Sequence, residues 1–204
     1  RRSASLDLSS GVPTADVQPA ELELGPELGE YRNLDLHCSR LHIREPHLAC
    51  RSGHLDALGG PLGKVSARVA ADFNMARDEL SFQGSGVPVA GGEARFEGRL
   101  GPKGWNIESA ASRLDIQKVR VLIAPWVPIP EDLSFDGALE ATASAAGSGA
   151  TLNASAQVAT PGFNFSNEPG TIVAEKVAGT LKATAVRRRE GFEIEARLDG
   201  TGGQ

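Results

Sequence analysis

Aromatic residues make up only 5% of this 204-residue sequence, with one tyrosine and one methionine among them and their apolar neighbours. A core built here must rely on small side chains or be completed by something else. No apolar run approaches the roughly 18 residues of a membrane-spanning helix. Neither sign of charge dominates, since 21 Lys and Arg face 26 Asp and Glu for a net charge of −5. That balance argues against nucleic acid as a partner, because phosphate binding calls for surplus Lys and Arg. It is also too mixed for a disordered charged tail. There is no Gly-x-Ser-x-Gly elbow and no phosphate-binding glycine loop, and every histidine falls between His37 and His54. A hydrolase needs nucleophile, base and orienting acid within hydrogen-bond reach. We therefore expect no enzyme, no catalytic residue and no cofactor. Glu108, Asp115, Glu193 and Glu195 alternate with apolar residues and read as a solvated face.

What the sequence does have is alternation with period two. Val65, Ala67, Val69, Ala71, Phe73 and Met75 alternate with Ser66, Arg68, Ala70, Asp72 and Asn74. Leu133, Phe135, Gly137, Leu139, Ala141, Ala143 and Ala145 alternate with Ser134, Asp136, Ala138, Glu140, Thr142 and Ser144. Leu152, Ala154, Ala156 and Val158 continue the pattern, as do Val177, Leu181, Ala183 and Ala185, and then Phe192, Ile194, Ala196 and Leu198. Successive side chains on a strand point to opposite faces, so each run predicts a strand with one apolar face. Shorter strands fit around Leu80 and Phe82, from Ala94 to Leu100 and from Trp105 to Ala111. Leu6-Asp7-Leu8 and Leu22-Glu23-Leu24 are further short candidates, set apart by Pro13 and Pro19. A phase change between Leu34, Leu36, Cys38 and Leu41, Ile43 predicts a bulge.

Gly59-Gly60-Pro61, Gly84-Ser85-Gly86, Gly91-Gly92, Gly101-Pro102-Lys103-Gly104, Gly147-Ser148-Gly149 and Arg189-Glu190-Gly191 read as hairpin links. One segment breaks the rhythm. Ser112-Arg113-Leu114-Asp115 resembles a capping box, and Ile116, Val119 and Ile123 follow near helical spacing. Pro125, Pro128 and Pro130 then end the segment. This predicts a short helix over 116–124 and a Pro-rich link around Trp126, with a strand at Val119–Ile123 as the alternative.

The expected fold class is all-β: long antiparallel strands in a curled sheet (half-pipe, open barrel or sandwich-like groove) with one short helix near 116–124. Four segments are expected. Residues 1–60 form an N-terminal β segment, 61–112 a first meander, 113–132 the helix and link, and 133–204 a second meander.

Six strands of about 36 Å at about 4.8 Å spacing give an apolar face of roughly 1,000 Å². Exposed to water, it would cost on the order of 25 kcal/mol. In the second half that face is largely alanine: Ala141, Ala143, Ala145, Ala154, Ala156, Ala183, Ala185 and Ala196. Alanines do not fill the about 10 Å gap of a sandwich core. Either closely approaching sheets or an apolar guest must cover the face.

Cys38 and Cys50 flank Arg44-Glu45-Pro46. A fold-back at Arg44 would set them directly opposite each other, so a disulfide is expected, which suits an oxidising compartment. The competing reading is a zinc site with His37, His42, His47 and His54, but no pair has the short spacing such sites use. We expect no metal. Arg187-Arg188-Arg189 is either a soluble turn or a contact for anionic headgroups. Trp105 and Trp126 are either core anchors or groove rims. Asn153-Ala154-Ser155 and Asn164-Phe165-Ser166 match the glycosylation pattern within strand-like runs.

The stretches FDGALEATASAAGSGATLNASAQV and VAGTLKATAVRRREGFEIEARLDG, with the short helix and Pro-rich link before them, resemble the AsmA-like repeats of Gram-negative envelope proteins, a group that includes TamB. LHCSRLHIREPHLACRSGHL and GGEARFEGRLGPKGWNIESA are most similar to the YdbH type. The resemblance covers about Tyr31 to Gly200. It implies a periplasmic β-groove, inner-membrane anchored through a segment not present here, that takes phospholipid or another acyl-chain ligand between inner and outer membranes. The sequence would then be a slice of a longer protein, as its start at Arg1 and the lack of a targeting segment also suggest. Implied groove residues are Val65, Val69, Phe73, Phe82, Phe96, Trp105, Ile107, Leu139, Ala141, Ala143, Leu152, Ala154, Ala156, Leu181 and Ala183. Envelope proteins are possible partners through open sheet edges. The alternatives are an assembly module like the N component of type II secretion, or a soluble lipoprotein or lipopolysaccharide carrier.

Overall fold

Alternating sequence makes strands, and strands account for nearly all of the regular structure. The computed structural model describes residues 3–7, 14–18, 21–23, 30–59, 62–124, 129–130, 132–149, 151–188 and 191–201. Leu8, Pro13, Pro19, Leu24, Gly60, Pro61, the link from 125 to 128 with Trp126, and the tip at Arg189 and Glu190 lie outside them.

The strands are β1 (Ser3–Asp7), β2 (Thr14–Gln18), β3 (Glu21–Glu23), β4 (Glu30–Arg44), β5 (His47–Gly59), β6 (Gly63–Asn74), β7 (Glu79–Val89), β8 (Gly92–Gly101) and β9 (Gly104–Asp115). The helix α1 (Ile116–Ile123) follows. After it come β10 (Leu133–Ser148), β11 (Thr151–Asn167), β12 (Val173–Arg188) and β13 (Gly191–Thr201). They form one 13-stranded antiparallel sheet. From β4 onward, hydrogen-bonded neighbours are consecutive in the chain. β2 pairs with β4, β3 pairs with β4 off the main path, and the path ends at β1 and β13 without closing on itself. The chain divides into two compact units. The first is Arg1–Pro88 with Arg95–Ile107, and the second is Val89–Ala94 with Glu108–Gln204.

In the first unit, β4 to β7 pair in rows across the sheet. Leu36, Leu55 and Ala67 form one row, Cys38, Gly53, Val69 and Gly84 the next, then Leu41, Cys50, Ala71 and Phe82, then Ile43, Leu48, Phe73 and Leu80. These rows share one face. The rows between them, such as His37, His54, Arg68 and Ser85, make the polar face. The expected phase change between Cys38 and Leu41 is a register shift, and Cys50 to Gly53 on β5 makes a second. Each bulge lets the apolar set stay on one side while the parity of the sequence flips.

Two local readings need correction. Gly84-Ser85-Gly86 is not a hairpin link. It lies inside β7, where Gly86 has φ +72° and resets the phase so that Val87 and Val89 replace Phe82 as the inward residues. The turn between β6 and β7 is Met75–Asp78, closed by Asn74, whose Oδ1 accepts from the backbone N–H groups of Ala76 and Arg77 at 3.0 and 3.1 Å. The helix is capped by Asp115 rather than Ser112. Its Oδ1 accepts from the N–H groups of Gln117 and Lys118 at 2.9 and 3.2 Å. Ser112 still belongs to β9, because Arg113 at φ +57° bulges the strand and delays its end until Asp115. The Arg120 guanidinium donates to the Leu133 and Pro130 carbonyls at 2.6 and 3.0 Å, which ties the helix to the start of β10.

Candidate functional site

In the second unit the register is regular enough to read the faces row by row. Ala141, Val158, Leu181 and Leu198 are mutual cross-strand partners. The next row is Ala143, Ala156, Ala183 and Ala196, four alanines across four strands. The row after that is Ala145, Ala154, Ala185 and Ile194. The opposite face carries Thr142, Gln157, Lys182 and Arg197, then Ser144, Ser155, Thr184 and Glu195. The Ser144 and Ser155 hydroxyls bond across the strands at 2.8 Å. Directly opposed side chains lie about 4.5–5.5 Å apart, so these rows are contiguous surfaces.

Among the described residues the apolar face of β10 to β13 is only partly covered, and it is most open along β13. Leu181 is 42% exposed, Ile194 70% and Leu198 74%. Ala143 and Ala156 are exposed as well. Leu139, Ala141, Leu152, Ala154 and Ala183 are half-buried. With the 11 residues of β13 as its length and four strands as its width, this face measures roughly 700 Å². The largest exposed apolar patch on a typical monomer is about 300–600 Å², so this footprint, part of it half-buried, is of that order. Toward the starts of β10 and β12 the surface changes. The Phe135 and Phe165 rings approach to 6.4 Å and the Phe163 and Phe165 rings to 5.9 Å. Gly137, at φ +144° opposite Phe163, leaves space for that ring's stem.

The first-unit residues of the expected groove sit in a better-filled setting. Val65 is buried, Val69 lies between Gly53 and Gly84, and Phe73 lies between Leu48 and Leu80. Trp105 is half-buried and Ile107 is exposed. The Phe82 and Phe96 rings stand 6.2 Å apart. Each ring covers a glycine: Phe96 lies over Gly84 and Phe82 over Gly98, leaving no room for a β-carbon. Such reciprocal covering supplies the packing that glycine lacks in a strand. The sequence carried a signal for it in the repeated Phe-x-Gly of Phe82-Gln83-Gly84 and Phe96-Glu97-Gly98.

Cys38 and Cys50 are disulfide-bonded with a Cα–Cα distance of 5.9 Å. They are not directly opposite, because the turn is at Glu45-Pro46 and Arg44 pairs with His47. Cys38 faces Gly53, and Cys50 faces Leu41. The bulges bring the two cysteines together diagonally, and Gly53 makes the space. A β-carbon there would stand 3.1 Å from the Cys50 Sγ and 3.0 Å from Val69 Cγ2.

All four histidines fall on the polar face of the first unit. His37 is directly opposite His54. His54 Nε2 lies 3.2 Å from Asp56 Oδ2 and 3.1 Å from the Ser66 hydroxyl. His47 Nδ1 lies 2.7 Å from Asp72 Oδ1. Among the described residues no three His, Cys, Asp or Glu side chains converge as a metal site. Of the carboxylates expected on the solvated face, Glu108, Glu193 and Glu195 are exposed, whereas Asp115 is the helix cap. Among the described residues no helix is long and apolar enough to cross a membrane, which says nothing of strands. Compared with protein-family models, curated proteins and solved structures, the chain matches none.

Proposed function

We propose that this chain is a lipid-handling segment of a cell-envelope protein, in which acyl chains lie on the apolar sheet face and headgroups stay in water. One observation carries the reading: the alanine-lined face of β10 to β13, partly open to solvent, with Leu181, Ile194 and Leu198 exposed on it. Each CH₂ buried there is worth about 0.8 kcal/mol, so hydrocarbon adsorbs without a deep pocket. Rows of near-identical small side chains offer no strong minimum along the strands, so a bound chain slides rather than locks. The reading agrees with the AsmA-like resemblance of the same stretches. The disulfide suits an oxidising compartment such as the periplasm.

Two measurements test this. Protein purified from a Gram-negative envelope should carry phospholipid by native mass spectrometry. A photo-crosslinker placed at Ala156 should label lipid more strongly than one placed at the exposed polar-face position Gln157. Equal labelling at both positions, or no lipid in either experiment, would sink the proposal. Protein adducts at Ala156 in place of lipid would favour an assembly module.

A further inference from the structure

The apolar rows of the second unit end on a residue of the opposite character. The pairing of β11 with β12 runs without a shift from Leu152 opposite Arg187 to Thr160 opposite Gly179. Ala154 faces Ala185, Asn153 faces Val186 and Leu152 faces Arg187. Successive side chains on a strand alternate between faces. Arg187 therefore stands on the apolar face, in line with Leu181, Ala183 and Ala185, and Val186 stands on the polar one. A hairpin end that needed only solubility would carry these two residues the other way round. Val186 is half-buried and Arg187 is exposed. The row of Gly147, Leu152 and Arg187 lies one step beyond that of Ala145, Ala154 and Ala185. From the Ala141 row to the Gly147 row, no other described position on this face carries a charge. Both β11 and β12 are interior strands, each paired on two sides, so Arg187 keeps its face whatever follows position 201.

We infer that Arg187 anchors the phosphate of an anionic phospholipid whose acyl chains run along the strands over the alanine rows. This rests on the lipid-handling reading and adds to it a headgroup and a direction. From Arg187 to Leu181 is six residues of strand, about 20 Å. One leaflet of a bilayer holds its acyl chains within about 15 Å, half of the hydrocarbon core. A phosphate at Arg187 thus lets the whole tail lie over Ala185, Ala183 and Leu181. An arginine meets a phosphate with two parallel N–H···O bonds and keeps its charge at any working pH. Its five donors serve a phosphate and a contact within the chain together. In the sequence it opens the run Arg187-Arg188-Arg189, three positive charges before the single Glu190. That surplus favours a negative head, whereas a zwitterionic head brings its own cation close to the guanidinium, and like charges repel. Rows of alanine let a chain slide, and the guanidinium gives that slide one fixed end.

Calorimetric titration of the full chain with palmitoyl lysophosphatidic acid, below its micellar concentration, is the direct test. Binding should be about tenfold tighter than with palmitoyl lysophosphatidylcholine. Arg187→Gln should remove that preference while the choline lipid still binds. Lys182→Gln, an equal loss of charge at an exposed position on the polar face, should leave the preference intact. Circular dichroism checks that both variants are folded. A diazirine at the tail end of the lysophosphatidic acid should label the chain around Leu181 and not around Leu152. That readout uses the unsubstituted chain, so it decides the matter even where a variant does not fold. Equal binding of the two lipids, a preference that survives R187Q or is lost in K182Q, or tail labelling at Leu152 overturns the anchor and leaves lipid binding standing. If neither lipid binds, the lipid-handling reading falls with it.

Discussion

The two units use the same strand pattern and bury different amounts of it. Among the described residues the buried hydrophobics are Cys38, Leu41, Ala49, Ala57, Val65, Ala67 and Val87 in the first unit and Leu114 alone in the second. Both units have bulges, but the first also crosses two strands with a disulfide and covers Gly84 and Gly98 with phenylalanine rings, while Ile43 and Leu48 at one end of its apolar face stay exposed. The second lines the corresponding face with alanine and leaves part of it open. Alternation therefore fixes which side of a strand is apolar, but side-chain size decides whether that side closes on itself. A filled face is a core, whereas a thinly lined one is a surface, and surfaces of that extent have partners.

The difference can be broken most directly at the disulfide. Replacing Cys38 and Cys50 with serine should lower the stability of the first unit by about 2–4 kcal/mol. The second unit should be unaffected, so urea unfolding followed at unit-specific probes should split into two transitions. A single cooperative loss of both would show that the units do not differ in this way. Ala67→Leu comes next, because Ala67 is 1% exposed and has no space for added carbons. It should cost about 1–3 kcal/mol by overpacking, read as a drop in the urea midpoint. Removing the helix cap with Asp115→Ala should cost about 1 kcal/mol, measurable in the same assay and confined to the second unit. Smallest of all, Ala156→Leu at an exposed position of the alanine row should change stability by no more than about 0.5 kcal/mol. A cost as large as that of Ala67→Leu would mean the alanine face is packed after all.

Much of the fold was legible because period-two alternation is a direct image of the pleat. The long runs from Val65, Leu133, Leu152, Val177 and Phe192 all fall in strands, except that Met75 at the end of the first lies in the turn after β6. The bulge after Cys38 was visible as a change of parity. What escaped were features set by partners distant in the sequence. Gly84 looks like a turn residue until Phe96 is laid over it. The register of the cysteine hairpin depends on which two residues form the turn, and a turn placed at Arg44 instead of Glu45-Pro46 misaligns every pair. Ser112 and Asp115 are both chemically suitable caps, and the choice falls to Asp115 only because the bulge at Arg113 keeps Ser112 in the strand. For the candidate site, the alanines were readable from the sequence. The exposure of Leu181, Ile194 and Leu198 was not, since nothing local distinguishes a covered leucine from an open one.

The order of the strands bears on how such a chain reaches its folded form. From β4 onward every strand takes the preceding one as its hydrogen-bonded neighbour. A polypeptide delivered amino end first, from a ribosome or through a narrow translocation pore, meets each template already in place. No late-arriving segment is needed to complete an early pairing, so loop-closure distances stay short, which favours fast folding. Assembly can then advance strand by strand with emergence, leaving one growing edge at any moment for other chains to capture.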